Sequence, residues 1–189
     1  MENEFVIKTS GLSYGYSREV KTLSDINLQV KRGSIYGFLG PNGSGKTTTL
    51  SLLLGLLEKQ QGNIEILGQH LHTNRSNILK KIGSSIEAPS LYEHLSAKEN
   101  LEVYRAAYGA TKSRVTDVLD IVGLNDTGKK VAKKFSLGMK QRLAIALALL
   151  PSPELLVLDE PANGLDPAGI IELRELIKKL NKEQGMTIL

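Results

Sequence analysis

A chain of 189 residues, 41% hydrophobic and 23% charged, has an ordinary globular composition and length for one good core. Its net charge of +4 is mild, and the absence of cysteine excludes disulfides, cysteine-held zinc and thiol catalysis, as suits a cytoplasmic protein. No apolar run nears the ~18 residues of a membrane span, and the polar start Met1-Glu2-Asn3-Glu4 is not that of a signal peptide.

Phe5-Val6-Ile7 and residues 25–30 and 34–39 are short and β-leaning, with Lys31-Arg32-Gly33 as a turn between the last two. Then comes Gly40-Pro41-Asn42-Gly43-Ser44-Gly45-Lys46-Thr47, which matches G-x-x-x-x-G-K-[ST]. It lies between the apolar run 35–39 and a helix-forming run 47–57, as a phosphate-binding loop requires. Its glycines let backbone N–H groups curl around an anion without Cβ obstruction, and the helix N-terminus adds a positive dipole end. Lys46 would reach the β- and γ-phosphates of a nucleotide, the Thr47 hydroxyl would take one position on Mg²⁺, and Thr48 completes the set. The plain alternative, a glycine-rich strand–helix turn with a chance lysine, is disfavoured by the strand and helix on either side.

Gln61-Gly62-Asn63 reads as a turn, 64–68 as a strand and its stop, and 82–86 as another short strand. From 87 to 150 the pattern turns helical. Ser96-Ala97-Lys98-Glu99 is a capping box that opens a helix running to Gly109. A second helix covers 112–122 and stops at Gly123; a third, 138–150, is apolar on nearly every side and belongs in the interior. The lysines 129, 130, 133 and 134 have no interleaved aromatics, so they read as solvated surface rather than as a nucleic-acid groove. Leu155-Leu156-Val157-Leu158 is a continuous apolar run, as in a parallel strand covered on both faces. Asp166-Pro167 looks like an N-cap with proline at the first helical position; the helix has apolar spacing at Ile170, Leu173, Ile177 and Leu180, and Gly185 ends it. Met186-Thr187-Ile188-Leu189 begins a further strand. A nucleotide-binding sheet with a helical insertion accounts for this order.

Asp159 and Glu160 follow the apolar run at 155–158, at the carboxyl edge where ligands bind in open α/β sheets. Asp159 would hold Mg²⁺ through water, and Glu160 is placed to polarise a water for in-line attack on a γ-phosphate. Ser136, Leu137, Gly138 and Met139 open the apolar helix, and a serine hydroxyl, a glycine backbone and a helix N-terminus make a second anion site. One chain has no evident use for two γ-phosphate sites. Two chains arranged head to tail do.

Across essentially its whole length the chain resembles the ATP-binding subunit of an ATP-binding-cassette (ABC) transporter. The order of parts agrees: phosphate loop, helical insertion, signature at 135–139, Asp-Glu strand, then Asn163-Gly164-Leu165-Asp166 as the D-loop. The resemblance implies an α/β fold, a P-loop NTPase with a RecA-like core, an N-terminal antiparallel β subdomain and an inserted α-helical subdomain. One ABC ATP-binding domain would span 1–189: the β subdomain and first part of the core at 1–86, the helical subdomain at 87–150, and the return to the core at 151–189. The resemblance further implies ATP and Mg²⁺ as ligands, Lys46 and Glu160 in catalysis, and Thr47 and Asp159 at the metal. Tyr16 would stack on adenine, with Tyr14 as the alternative. Ser136 and Gly138 would touch the γ-phosphate held by a second nucleotide-binding subunit, and Asp166 would cross that interface. The remaining partner is a transmembrane permease, with the chain peripheral on the cytoplasmic face of the membrane. Leu91, Tyr92 and Leu95 would meet it, unless they are plain core.

Three departures from the family pattern stand out. The signature usually reads L-S-G-G-Q and here reads Phe135-Ser136-Leu137-Gly138-Met139. Glu87 stands where the family carries a glutamine, and we expect it to serve near the metal and attacking water in that residue's place. With Ser-Leu-Gly-Met-Lys-Gln, Glu87 resembles the bacitracin-resistance and lantibiotic-immunity branch of exporters. Third, the family places a histidine just past the strand begun at Met186, whereas His70, His72 and His94 sit in polar loops and the chain stops at Leu189. We read the chain as a fragment, expected to bind ATP weakly and to turn it over slowly. Two competing readings are a non-transport ABC ATPase and a nucleotide-binding module without turnover.

Overall fold

The computed structural model describes residues 4–17, 20–87 and 90–189; most of the polar N-terminal start lies outside them. The strands are β1 (Phe5–Tyr14), β2 (Leu23–Ile26), β3 (Gln29–Lys31), β4 (Gln61–Ile66), β5 (Gln69–His70), β6 (Ile82–Ser85), β7 (Leu155–Leu158) and β8 (Thr187–Ile188). The helices are α1 (Lys46–Leu53), α2 (Leu71–Leu79), α3 (Ala97–Arg105), α4 (Lys112–Ile121), α5 (Leu137–Leu149) and α6 (Pro167–Gln184).

β1 organises the first sheet. It pairs antiparallel with β2 and β3 along one edge and with β4 along the other, and β4 pairs with β5. Ile7 sits opposite Ile66 and Thr9 opposite Ile64, which sends Val30, Ile64 and Ile66 into one apolar cluster with Leu50, Leu52 and Leu53 of α1. The buried Thr9 hydroxyl donates to Ile26 O at 2.9 Å and accepts from Leu28 N–H at 2.8 Å, so neither group is buried unpaired. Residues 61–63 belong to β4 rather than to the expected turn, because β1 is long enough to pair with them.

The second sheet is parallel, in the order β6-β7-β8. β7 is buried throughout, and its side chains alternate between two cores. Leu155 and Val157 join the β-side cluster, while Leu156 and Leu158 join a second cluster built by α3, α4, α5 and α6. α5 is the apolar helix expected in the interior, with Leu143, Ile145, Ala146 and Leu149 essentially inaccessible. The capping box at α3 is complete: Glu99 Oε2 accepts from Ser96 N–H at 2.8 Å while Glu99 N–H donates to Ser96 Oγ at 3.3 Å.

One expected strand is nearly absent. Residues 34–39 contribute only a bridge at Ile35, held by Tyr36 N–H to Ile188 O at 2.8 Å and Ile188 N–H to Ser34 O at 2.9 Å. Ile35 and Leu39 are exposed, Leu39 at 92%. The helix after the phosphate-binding motif is also shorter than expected, ending at Leu53 instead of Leu57.

Glu154, just before β7, ties the second sheet to the first. It accepts from Lys81 Nζ at 2.8 Å and from Arg32 NH1 at 3.3 Å. The hydrogen bond from Lys81, helped by Arg32, holds its carboxyl below the ordinary 4.5 despite partial desolvation. A lowered native pKa means that this stabilisation is present above the unfolded value and is lost as pH falls through the native one. Glu154→Gln should therefore lower the melting temperature at pH 7 and leave it less changed at pH 3, which melts at the two pH values will check.

Candidate active site

Five elements bring their ends to one cavity of about 670 Å³. It is lined by Asn42, Gly43, Gly45, Lys46, Thr47 and Thr48 from the loop and α1, and by Glu87 beyond β6. Leu137 and Gln141 of α5, Asp159, Glu160 and Asn163 after β7, and Thr22 before β2 complete the wall. The loop owes its shape to Gly43 and Gly45, whose φ angles are +81° and +88°. Gly45 is doubly constrained, since a Cβ there would run into the Leu23 side chain of β2. It is the N-cap of α1 without any side-chain hydrogen bond, which leaves the first amides of the helix facing the cavity.

Two side-chain contacts connect α1 to β7. Thr47 Oγ1 donates to Asp159 Oδ2 at 2.8 Å. Lys46 Nζ lies 3.3 Å from Glu160 Oε1 and donates to the carbonyls of Gly40 at 3.0 Å and Pro41 at 3.2 Å. β7 fixes the carboxylates, because its last pair, Ser85 opposite Leu158, is followed by a hydrogen bond from Asp159 N–H to Ser85 O at 2.9 Å. Glu160 adopts φ +44° and Glu87 φ +60°, left-handed conformations that ordinary residues hold only where the surroundings require them. Among the described residues no cluster of three or more His, Asp or Glu side chains could hold a metal ion.

The other expected residues lie around this centre. Tyr16 is 68% exposed, and its hydroxyl is 3.3 Å from Thr48 Oγ1; Tyr14 is half-buried at the end of β1, edge-on to Tyr16 at 5.1 Å. Ser136 caps α5 by accepting from Met139 N–H at 3.2 Å, and Asp166 caps α6 by accepting from Gly169 N–H at 2.8 Å. Ser136, Gly138 and Asp166 are not in the wall of the cavity, Met139 packs partly against the helical core, and Leu137 faces the phosphate loop of its own chain. Gln141 and Asn163 carried no expected role in the cavity. The i, i+4 spacing of Leu137 and Gln141 was the available signal for one of them.

Residues 23–163, well over half of the chain, match the ABC transporter family. The chain belongs to that family. It is 52% identical over 184 residues to the bacitracin transport ATP-binding protein BcrA of Bacillus licheniformis, covering 97% of this chain and 60% of that protein. It is 44% identical over 184 residues to the lantibiotic transport ATP-binding protein SrtF of Streptococcus pyogenes, covering 97% of this chain and 78% of that one. Among solved structures, cbiO1 from Clostridium perfringens, part of the ABC transporter complex cbiONQ, superposes with a TM-score of 0.88 at 30% identity, covering 98% of this chain and 77% of that one. A dimeric ATP-binding cassette in a post-hydrolysis state with ADP and Pi gives 0.83 at 28% identity, covering 96% and 85%. The chain thus spans 60% of the length of the bacitracin transport protein, and among its described residues no helix is long and apolar enough to cross a membrane.

The ABC phosphate loop makes a sharp prediction. Gly45→Ala forces a left-handed Ala, at roughly 1–3 kcal/mol, and adds the Leu23 clash. Fluorescent-ATP titration should show nucleotide binding lost, and Leu23→Ala combined with it should recover part of the melting temperature but not the binding.

Proposed function

We propose that the chain is the ATP-binding and ATP-hydrolysing subunit of an ABC transporter that exports an antimicrobial peptide or drug. Two copies would close head to tail on two ATP molecules, beside a transmembrane permease on the cytoplasmic face of the membrane. One observation carries this reading: Thr47 with Asp159, and Lys46 with Glu160, meet across a single cavity whose other wall is a glycine loop at a helix N-terminus.

The phosphates of ATP fit where Lys46 now donates to two loop carbonyls and faces Glu160. A polyphosphate offers Lys46 stronger acceptors, and its binding frees the Glu160 carboxylate to accept a proton from the attacking water. Thr47 and Asp159 offer a pair of hard oxygens, the donor set of a magnesium ion that completes its shell with water and substrate phosphates. Mg²⁺ there would neutralise charge developing on the β- and γ-oxygens. Glu87 lines the same cavity and would serve there in place of the family's glutamine, near the metal and attacking water. The exposed ring of Tyr16, next to α1, is better placed than half-buried Tyr14 to lie flat on adenine. Ser136 and Gly138, outside the cavity of their own chain, remain available to the γ-phosphate of a second copy, as does Asp166 to the interface.

For the permease we propose the groove between β6 and the helices, about 220 Å³, lined by Leu91, Tyr104, Tyr108 and Leu147. Tyr92 and Tyr108 are 42% and 52% exposed beside it, an amphipathic aromatic surface suited to a protein partner. The names of the bacitracin and lantibiotic transport relatives support the substrate class.

Glu160→Gln should keep ATP affinity while lowering phosphate release by roughly 10²–10⁴-fold, the usual worth of a general base. Wild-type binding without any Mg²⁺-dependent phosphate release would replace hydrolysis with the nucleotide-binding-module reading. Glu87→Ala and Glu87→Gln should alter the preference for Mg²⁺ over Mn²⁺ more than the affinity for ATP. Two wild-type metal profiles, with unchanged drug resistance in cells carrying the permease, would remove Glu87 from the site.

A further inference from the structure

Leu137 is a half-exposed leucine facing a phosphate cavity, and the packing of the core does not account for it. It is the first residue of α5, 47% exposed, where the family usually has glycine. It lies over a notch: a Cβ on Gly164 would stand only 3.0 Å from Leu137 Cδ2. Gly164 has φ +73°, so both its backbone and its missing side chain are used. Leu165 of the same turn lies near Gly138, where a Cβ would stand 3.8 Å from its Cδ2. Beyond their first turns the two helices are also joined by Arg142 and Glu172 at 3.2 Å.

The turn under Leu137 leads directly to Glu160. Asn163 N–H donates to Glu160 O at 2.9 Å, and Asn163 Nδ2 donates to Glu160 Oε2 at 3.4 Å. Glu160 sits at φ +44°, a conformation that relaxes unless its surroundings fix it. Its side chain is nearly half exposed, so burial does not fix it. We infer that Leu137 is a positioning residue: seated on Gly164, it clamps the turn through which Asn163 holds Glu160 in line with the γ-phosphate. This rests on the hydrolytic reading above and adds to it a reason for the leucine in the signature. Leu137 contributes little to the core, so its removal acts on the turn and spares the fold.

The test compares Leu137→Ala, Leu137→Met and wild type by amide exchange in NMR spectra, Mg·ATP titration and single-turnover hydrolysis. Leu137→Ala should speed exchange of the Asn163 amide about tenfold. Hydrolysis should slow by a similar factor, and Leu137→Met should restore both rates. Unchanged exchange at residue 163 would overturn the proposal. So would loss of Mg·ATP binding in step with a lower melting temperature, which marks a merely structural residue. A wild type that binds ATP without hydrolysing it would remove the hydrolytic reading, and the exchange measurement would still decide whether Leu137 holds the turn.

Discussion

Leu155, Leu156, Val157 and Leu158 are buried on both faces of one strand, and the two carboxylates of the site follow without an intervening residue. Each apolar side chain fully withdrawn from water contributes on the order of 1.5–3 kcal/mol, and here the contributions alternate between two cores. β7 therefore resists a one-residue slide, because the slip would carry Glu154 or Asp159 into a buried apolar position. Asp159 inherits that fixed register through its hydrogen bond to Ser85. The precision of Asp159 beside Thr47 is a by-product of hydrophobic packing several residues away, which is why a polar site on a surface can still be rigid.

The second contact across the cavity is of another kind. Lys46 is 14% and Glu160 46% exposed, and ion pairs so open to water contribute about 0–1 kcal/mol. The carbonyls of Gly40 and Pro41 complete the shell of the ammonium without a full charge among them. A loop that held its lysine more tightly would compete with its own ligand. Strong, buried interactions thus fix the parts that must stay still, and weak, wet ones hold the part that must change partners on binding.

Much of this was legible where the signal is local. The capping box of Ser96 and Glu99, the Asp166-Pro167 start, the Gly185 stop and the apolar run of β7 each depend on residues a few places apart. The glycine loop with the helix that follows it is local in the same sense. Residues 34–39 misled for the opposite reason: their composition is that of a strand, but a strand also needs a neighbour, and among the described residues only Ile35 finds one. α2 passed unseen because its sequence is mostly polar and only Leu71 and Ile78 are buried, too few to mark a period. At the site, motif spacing identified Lys46, Thr47, Asp159 and Glu160, yet nothing local places Leu137 on Gly164. That contact is made by the packing of α5 on α6.

α5 connects these levels. Leu137 and Gln141 near its start line the nucleotide cavity, while Ala144, Leu147 and Ala148 near its end line the groove proposed for the permease. The helix rises about 1.5 Å per residue, so the two sets of residues lie on average roughly 11 Å apart on one rod. On its other side Leu143, Ile145, Ala146 and Leu149 are fully buried in the core. Gly83 of β6 lets the backbone at Ala148 approach where any Cβ would collide, so the far end of the rod rests directly on the sheet. The buried helix that appears in the sequence as mere hydrophobicity thus lines both the cavity at the glycine loop and the groove beside β6.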